Sequence, residues 1–163
     1  MATLYVMSGA PGSGKSTFAK ELLTKFQSEG HPATILSSDE IRLEVTGSYN
    51  QFTKEGEKLL WKTLLDRAQT ASVVYECVII DSTALTNKKR MFYWNNLHEF
   101  YEHFILVMFD STPERCIAND AKRDRHVPED AIEFMCGCFQ EPNQEVNSHY
   151  STVIRHHPEE STL

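Results

Sequence analysis

The chain has 163 residues, of which 40% are apolar and 24% charged, the size and balance of a globular domain with one sizeable core. No apolar run approaches the ~20 residues of a membrane span. Met1 leads almost directly into a strand, without the basic start and long apolar stretch of a signal peptide, so the cytoplasm is the expected setting.

Net charge is −7 but uneven: residues 1–125 carry 15 Lys+Arg against 16 Asp+Glu, and residues 126–163 one Arg against seven acids. No basic stripe is visible, which argues against a long duplex partner. A short single-stranded end held in a pocket remains compatible with the nearly neutral first part. The four cysteines, Cys77, Cys116, Cys136 and Cys138, lack zinc or redox spacing and are expected as reduced thiols.

In chain order, strand and helix signals alternate. Thr3–Ser8 reads as a strand and Lys15 to about Gln27 as a helix ended near Gly30. Ala33–Ser37 is a second strand, and Thr46–Phe52 a loop rich in turn residues. Thr53 is placed to cap a helix running to about Ser72, with Leu60, Leu64, Leu65 and Ala68 on one face. Val74–Asp81 reads as a third strand, Asn87 to about Phe100 as a helix, and Phe104–Asp110 as a fourth strand. Thr112-Pro113-Glu114 combines an N-cap, an N1 proline and a first-turn acid; Pro128-Glu129-Asp130 is a second helix start. Thr152–Arg155 is a short fifth strand, with a frayed tail expected after about residue 156. This alternation predicts one α/β domain over residues 1–163, a parallel sheet covered by helices on both faces.

Gly9-Ala10-Pro11-Gly12-Ser13-Gly14-Lys15-Ser16-Thr17 fits G-x-x-x-x-G-K-[ST], directly after a buried strand and at the start of a helix. Glycines let successive backbone N–H groups point into one concavity, and the helix N-terminus adds partial positive charge. Lys15 is expected to reach the β- and γ-phosphates of ATP. Ser16 would ligate Mg²⁺, and Thr17 would support the α-phosphate. A GTPase would place Asp-x-x-Gly after the metal-binding strand, but Asp81 is followed by Ser82, Thr83 and Ala84. A motor ATPase would carry an acidic pair there. A small kinase survives this elimination.

The second strand ends in Ser37-Ser38-Asp39-Glu40-Ile41-Arg42, at the sheet edge that faces the ligand crevice. Asp39 is placed to accept a proton from an attacking hydroxyl. Arg42, three residues on along the same helical face, would hold a phosphate of the acceptor or orient Asp39. Asp81 ends the third strand opposite the cradle, where it either meets Mg²⁺ through water or steadies Arg42. Thr83 and Arg90 follow on the same side as candidate substrate contacts. Lys122-Arg123-Asp124-Arg125-His126 lies between two helices and reads as an Arg-rich lid. Its Arg123 and Arg125 would close on the nucleotide phosphates and their developing charge.

Assembled in order, the cradle, Asp39-x-x-Arg42, Val78-Ile79-Ile80-Asp81 with Thr83 and Arg90, Phe109-Asp110, and Lys122-Arg123 before Val127-Pro128 resemble the polynucleotide 5′-hydroxyl kinase family. The resemblance runs from about Thr3 to about Phe139. It implies transfer of the ATP γ-phosphate to a 5′-hydroxyl of DNA or RNA with Mg²⁺, and a five-stranded parallel sheet in the order second, third, first, fourth, fifth. It also implies Asp39 as general base, Arg42 on the acceptor's first internucleotide phosphate, and Lys15 and Arg123 on the transferring group. Two departures stand out. Asn119 occupies a position four residues before the lid Arg where members often carry another Arg, a loss for which Arg125 would compensate. The chain is also too short for the 3′-phosphatase domain of some members. A small-molecule kinase acting on a nucleoside, sugar or antibiotic is the leading alternative, and a non-catalytic nucleotide-binding module is the other.

Overall fold

The computed structural model describes residues 1–156, and the tail expected to fray lies outside the described residues. Five strands form one parallel sheet in the order β2-β3-β1-β4-β5: β1 (Thr3–Ser8), β2 (Ala33–Ser37), β3 (Cys77–Asp81), β4 (His103–Phe109) and β5 (Thr152–His156). This is the expected order. In β1, alternate residues face opposite sides of the sheet. Leu4 and Val6 join the larger core with Leu60, Leu64, Tyr93 and Phe104. Tyr5 and Met7 join the second core with Ala19, Ile79 and Phe109.

The helices are α1 (Lys15–Ser28), α2 (Ser38–Thr46), α3 (Lys54–Val74), α4 (Asn87–Leu97), α5 (Pro113–Asp120), α6 (Glu129–Gly137) and α7 (Gln144–His149). The N-caps follow the sequence signals: Thr53 accepts from the Gly56 N–H, and Thr112 from the Arg115 N–H. Ser37 likewise accepts from the Glu40 N–H, starting the helix that carries Asp39 and Arg42. A third, small core of Ala10, Cys116 and Ile132 fixes α5 and α6 beneath the cradle. All four cysteines are free thiols.

The elements differ from expectation in several places. The third strand begins at Cys77, because α3 continues to Val74; Val73 and Val74 are an exposed β-branched pair at a helix end rather than the start of a strand. Helix α4 stops at Leu97 instead of about Phe100. Helix α7 is absent from the sequence reading: its six residues are too few to show a period, although Asn143 caps it through the Val146 N–H. Among the described residues no helix is long and apolar enough to cross a membrane.

The parallel register brings the carboxyl ends of the strands together, with Ser37 of β2 opposite Asp81 of β3. Residues 9–14 after β1, Asp39 after β2 and Asp81 at the end of β3 therefore share one edge, where α/β sheets of this kind place ligands.

Candidate active site

The cradle wraps the N-terminus of α1. Gly12 has φ 82° and Gly14 φ 101°, the left-handed region that favours glycine. Gly12 is also constrained by contact: a Cβ there would lie 2.2 Å from the Cys116 carbonyl oxygen. Asn119 donates from Nδ2 to the Gly12 carbonyl at 2.9 Å. The position where the resemblance expects an Arg thus ties α5 to the cradle.

Lys15 is buried, its Nζ donating to the Ala10 carbonyl at 3.1 Å. Burial pushes its pKa below the ordinary lysine value, while the Asp81 and Asp39 carboxylates oppose that shift. Ser16 Oγ donates to Asp81 Oδ2 at 2.7 Å. A hydroxyl and a carboxylate oxygen side by side are hard donors of the kind Mg²⁺ takes, and this ion needs only one or two of them beside nucleotide phosphates. Ser13 Oγ and Arg123 Nε are buried with no hydrogen-bond partner. Two orphaned donors at the cradle fit a phosphate-bearing ligand.

Beside the cradle is a cavity of about 350 Å³, lined by Lys15, Ser16, Thr17, Arg115, Asn119 and Arg123 among others. Arg115 and Asn119 share one face of α5, and Arg123 follows in the turn just after it. The sequence reading singled out only the last two, although the spacing carried the signal for the first. The turn between α5 and α6, residues 121–128, contains the expected lid residues 122–126. Buried Asp120 organises it, accepting from Arg123 Nη2 and, at 2.8 Å, from the Val127 N–H.

Asp39 faces two guanidinium groups. Arg42 Nη1 donates to its Oδ1 at 3.2 Å, and Arg125 Nη2 to its Oδ2 at 2.9 Å. Arg125 also lies over the Tyr49 ring, 4.3 Å from the centroid. This differs from the sequence expectation: Arg125 pairs with Asp39 and does not line the cavity beside the cradle. Arg42 is anchored by Glu57 Oε1, to which Nε and Nη2 donate at 3.0 and 2.8 Å, and its guanidinium stacks on the exposed Phe52 ring. Of the two roles weighed for Asp81, the contact with Ser16 is present, whereas Arg42 pairs with Asp39 and Glu57. Tyr49 and Phe52 lie in the 47–52 loop and Glu57 at the start of the helix after it, the stretch that the sequence marks as the wall of an acceptor pocket, but their individual contacts are tertiary.

Arg90 is the clearest correction. It is fully buried, and its guanidinium makes five hydrogen bonds, to the carbonyls of Ala84, Leu85 and Gln140 and the side chains of Asn87 and Ser8. Burial lowers its pKa to about 10. Those bonds lock the segment after β3, and no donor is left for a substrate. Thr83 supports the same segment through its carbonyl, which accepts from the Gly9 N–H at 2.8 Å.

A larger cleft of about 590 Å³ lies beyond Ser16 and Asp81, lined by Lys20, Glu40, Glu44 and Arg67 among others. Asp39 does not line it.

Sheet order, cradle and carboxylate at the end of β3 together define a P-loop kinase. The chain belongs to the AAA_33 family, described as an AAA domain, whose profile matches residues 4–142. It is 25% identical over 142 residues to the L-seryl-tRNA(Sec) kinase of Methanococcus maripaludis, covering 85% of this chain and 53% of that one. Among solved structures it is similar to a chain of the Pnkp1/Rnl/Hen1 RNA repair complex, with TM-score 0.73, 21% identity, and coverage of 92% of this chain and 46% of that chain. It is also similar to a gluconokinase from Sinorhizobium meliloti, with TM-score 0.60, 15% identity, and coverage of 96% and 82%. The chain thus spans about half the length of the tRNA kinase and of the RNA repair chain.

Proposed function

We propose that this chain transfers the γ-phosphate of ATP to a 5′-hydroxyl at the end of a DNA or RNA strand. In this reading residues 1–163 act as one kinase domain in the cytoplasm, with no membrane partner. The observation that carries it is the pairing of Asp39 with Arg42, and of Arg42 with Glu57, on the strand edge that holds Lys15 and the Ser16–Asp81 pair.

Asp39 takes the proton of the attacking hydroxyl. Arg42, aimed by Glu57, grips a phosphate on the 3′ side of that hydroxyl with its planar fork. Lys15 and Arg123 face the group in transfer and stabilise charge gathering on its oxygens. Ser16 and Asp81 would hold Mg²⁺, which when bound neutralises phosphate charge. The orphaned Ser13 Oγ and Arg123 Nε supply further donors to the phosphates.

A small-molecule kinase is the second reading, supported by the acidic balance and the fold-level likeness to a gluconokinase. Intact Lys15, Asp39, Asp81 and Arg123 count against a non-catalytic module. The test offers labelled ATP and Mg²⁺ with 5′-hydroxyl oligonucleotides, bare nucleosides, sugars and sugar acids. Oligonucleotides are expected to be the best acceptors, with turnover by Asp39→Asn reduced about 10²–10⁴-fold while ATP still binds. Preference for a sugar or bare nucleoside would replace this reading with the second.

A further inference from the structure

Lys89, in the first turn of α4, is the one described lysine held over an aromatic ring. Its Nζ lies 2.9 Å from the Trp61 centroid and 4.2 Å from that of Phe92. Among the described residues its ammonium has no hydrogen bond or ion pair, so three donors are unspent on a half-buried cation. Burial lowers its pKa to about 8, with Glu57 raising it and Arg42 lowering it further, and it remains charged at neutral pH.

Its place along α3 is informative. Glu57, which anchors Arg42, and Trp61, which carries Lys89, are four residues apart on one helical face. The anchors of the two cations are therefore one helical turn, about 5.4 Å along the axis, apart, and the cations are near enough for the Arg42 charge to depress the Lys89 pKa. Arg42 stacks on exposed Phe52, and Trp61 and Phe92 flank Lys89. Cations interleaved with aromatic faces form the surface that takes a single-stranded chain.

We infer that Lys89 is a second phosphate-binding residue of the acceptor site, taking the phosphate one nucleotide beyond the one Arg42 takes. This rests on the polynucleotide reading above and extends it from the terminal nucleoside to the next. The aromatic ring holds the ammonium in place without spending its donors.

The test compares two acceptors with identical bases, a 5′-hydroxyl dinucleotide ending in a 3′-hydroxyl and the same dinucleotide ending in a 3′-phosphate. They differ only in the second phosphate. The readout is the ratio of their kcat/KM values within one enzyme preparation, so any loss of folded protein cancels. Wild type is expected to favour the 3′-phosphorylated dinucleotide by about tenfold, as for a charge-assisted hydrogen bond. Lys89→Gln should bring the ratio near one, and Lys89→Arg should restore most of it. A ratio near one in wild type, or an undiminished ratio in Lys89→Gln, overturns the inference and leaves the polynucleotide reading standing. Failure of wild type to phosphorylate either dinucleotide overturns both.

Discussion

Arg125 Nη2 lies 2.9 Å from Asp39 Oδ2, joining the segment between α5 and α6 to the helix after β2 across 86 residues of sequence. Under the proposed function Arg125 would therefore act on the acceptor, while Arg123, two residues earlier, lines the cavity beside the cradle. The two side chains point to different partners in a turn wound around buried Asp120.

From that division, Arg125→Ala should lower kcat/KM for the acceptor several-fold and leave KM for ATP unchanged, with little loss of stability, since a half-exposed ion pair contributes only about 0.2–1 kcal/mol. Steady-state kinetics with each substrate varied in turn checks this. A rise in KM for ATP alone would return Arg125 to the nucleotide.

Arg90→Ala should damage the fold and not the chemistry. It removes five hydrogen bonds and opens a large void; the Gln140 carbonyl is stranded, while Ser8, Ala84, Leu85 and Asn87 each keep one other partner. The stranded carbonyl costs about 1–3 kcal/mol, and the cavity left by truncating a large buried side chain adds about 2–5 kcal/mol. A total of about 3 kcal/mol or more corresponds to a fall in Tm of about 6–12 °C or beyond. Thermal melts with and without ATP, and turnover per folded molecule, are the measurements. A mutant of normal stability with a raised acceptor KM would contradict the structural role.

Lys89 carries a pH signature in stability. Burial places its folded-state pKa at about 8, below the ordinary 10.5. Below pH 8 both folded and unfolded chains hold the proton, and the cost of burying the charge is fully present. Between pH 8 and 10.5 the unfolded chain binds more proton than the folded one, so this group makes stability rise with pH. Lys89→Met should lack that rise. Urea unfolding at pH 7.5 and 9.5 should show wild type gaining on Lys89→Met at the higher pH, and parallel changes in the two proteins would refute the shift.

Much of the fold is written locally. The cradle is contiguous, the caps Thr53 and Thr112 act within three residues, and β1 and β2 have their expected limits. Val74 misled because a β-branched residue next to another looks the same at a helix end as at the start of a strand. Arg90 misled because a charged side chain is seldom fully buried unless it is fully paired, and its partners come from positions as distant as Ser8 and Gln140. The candidate site around Asp39 is half legible: Asp39 and Arg42 share a helix, but Glu57, Phe52 and Arg125 reach them only through the packing of α2, the loop before α3, α3 and the α5–α6 turn.

The most direct test of the central claim is the ratio of kcat/KM for a nucleoside 3′-monophosphate to that for the bare nucleoside, in wild type, Arg42→Ala and Arg42→Lys. The geometry predicts a large preference for the phosphorylated acceptor in wild type. A charge-assisted hydrogen bond contributes about 1.5–3 kcal/mol, so Arg42→Ala should lose about ten- to a hundredfold of that ratio. Arg42→Lys, which keeps the charge and loses the fork held by Glu57, should resemble Arg42→Ala. Equal use of the two acceptors by the wild-type enzyme would contradict the polynucleotide reading.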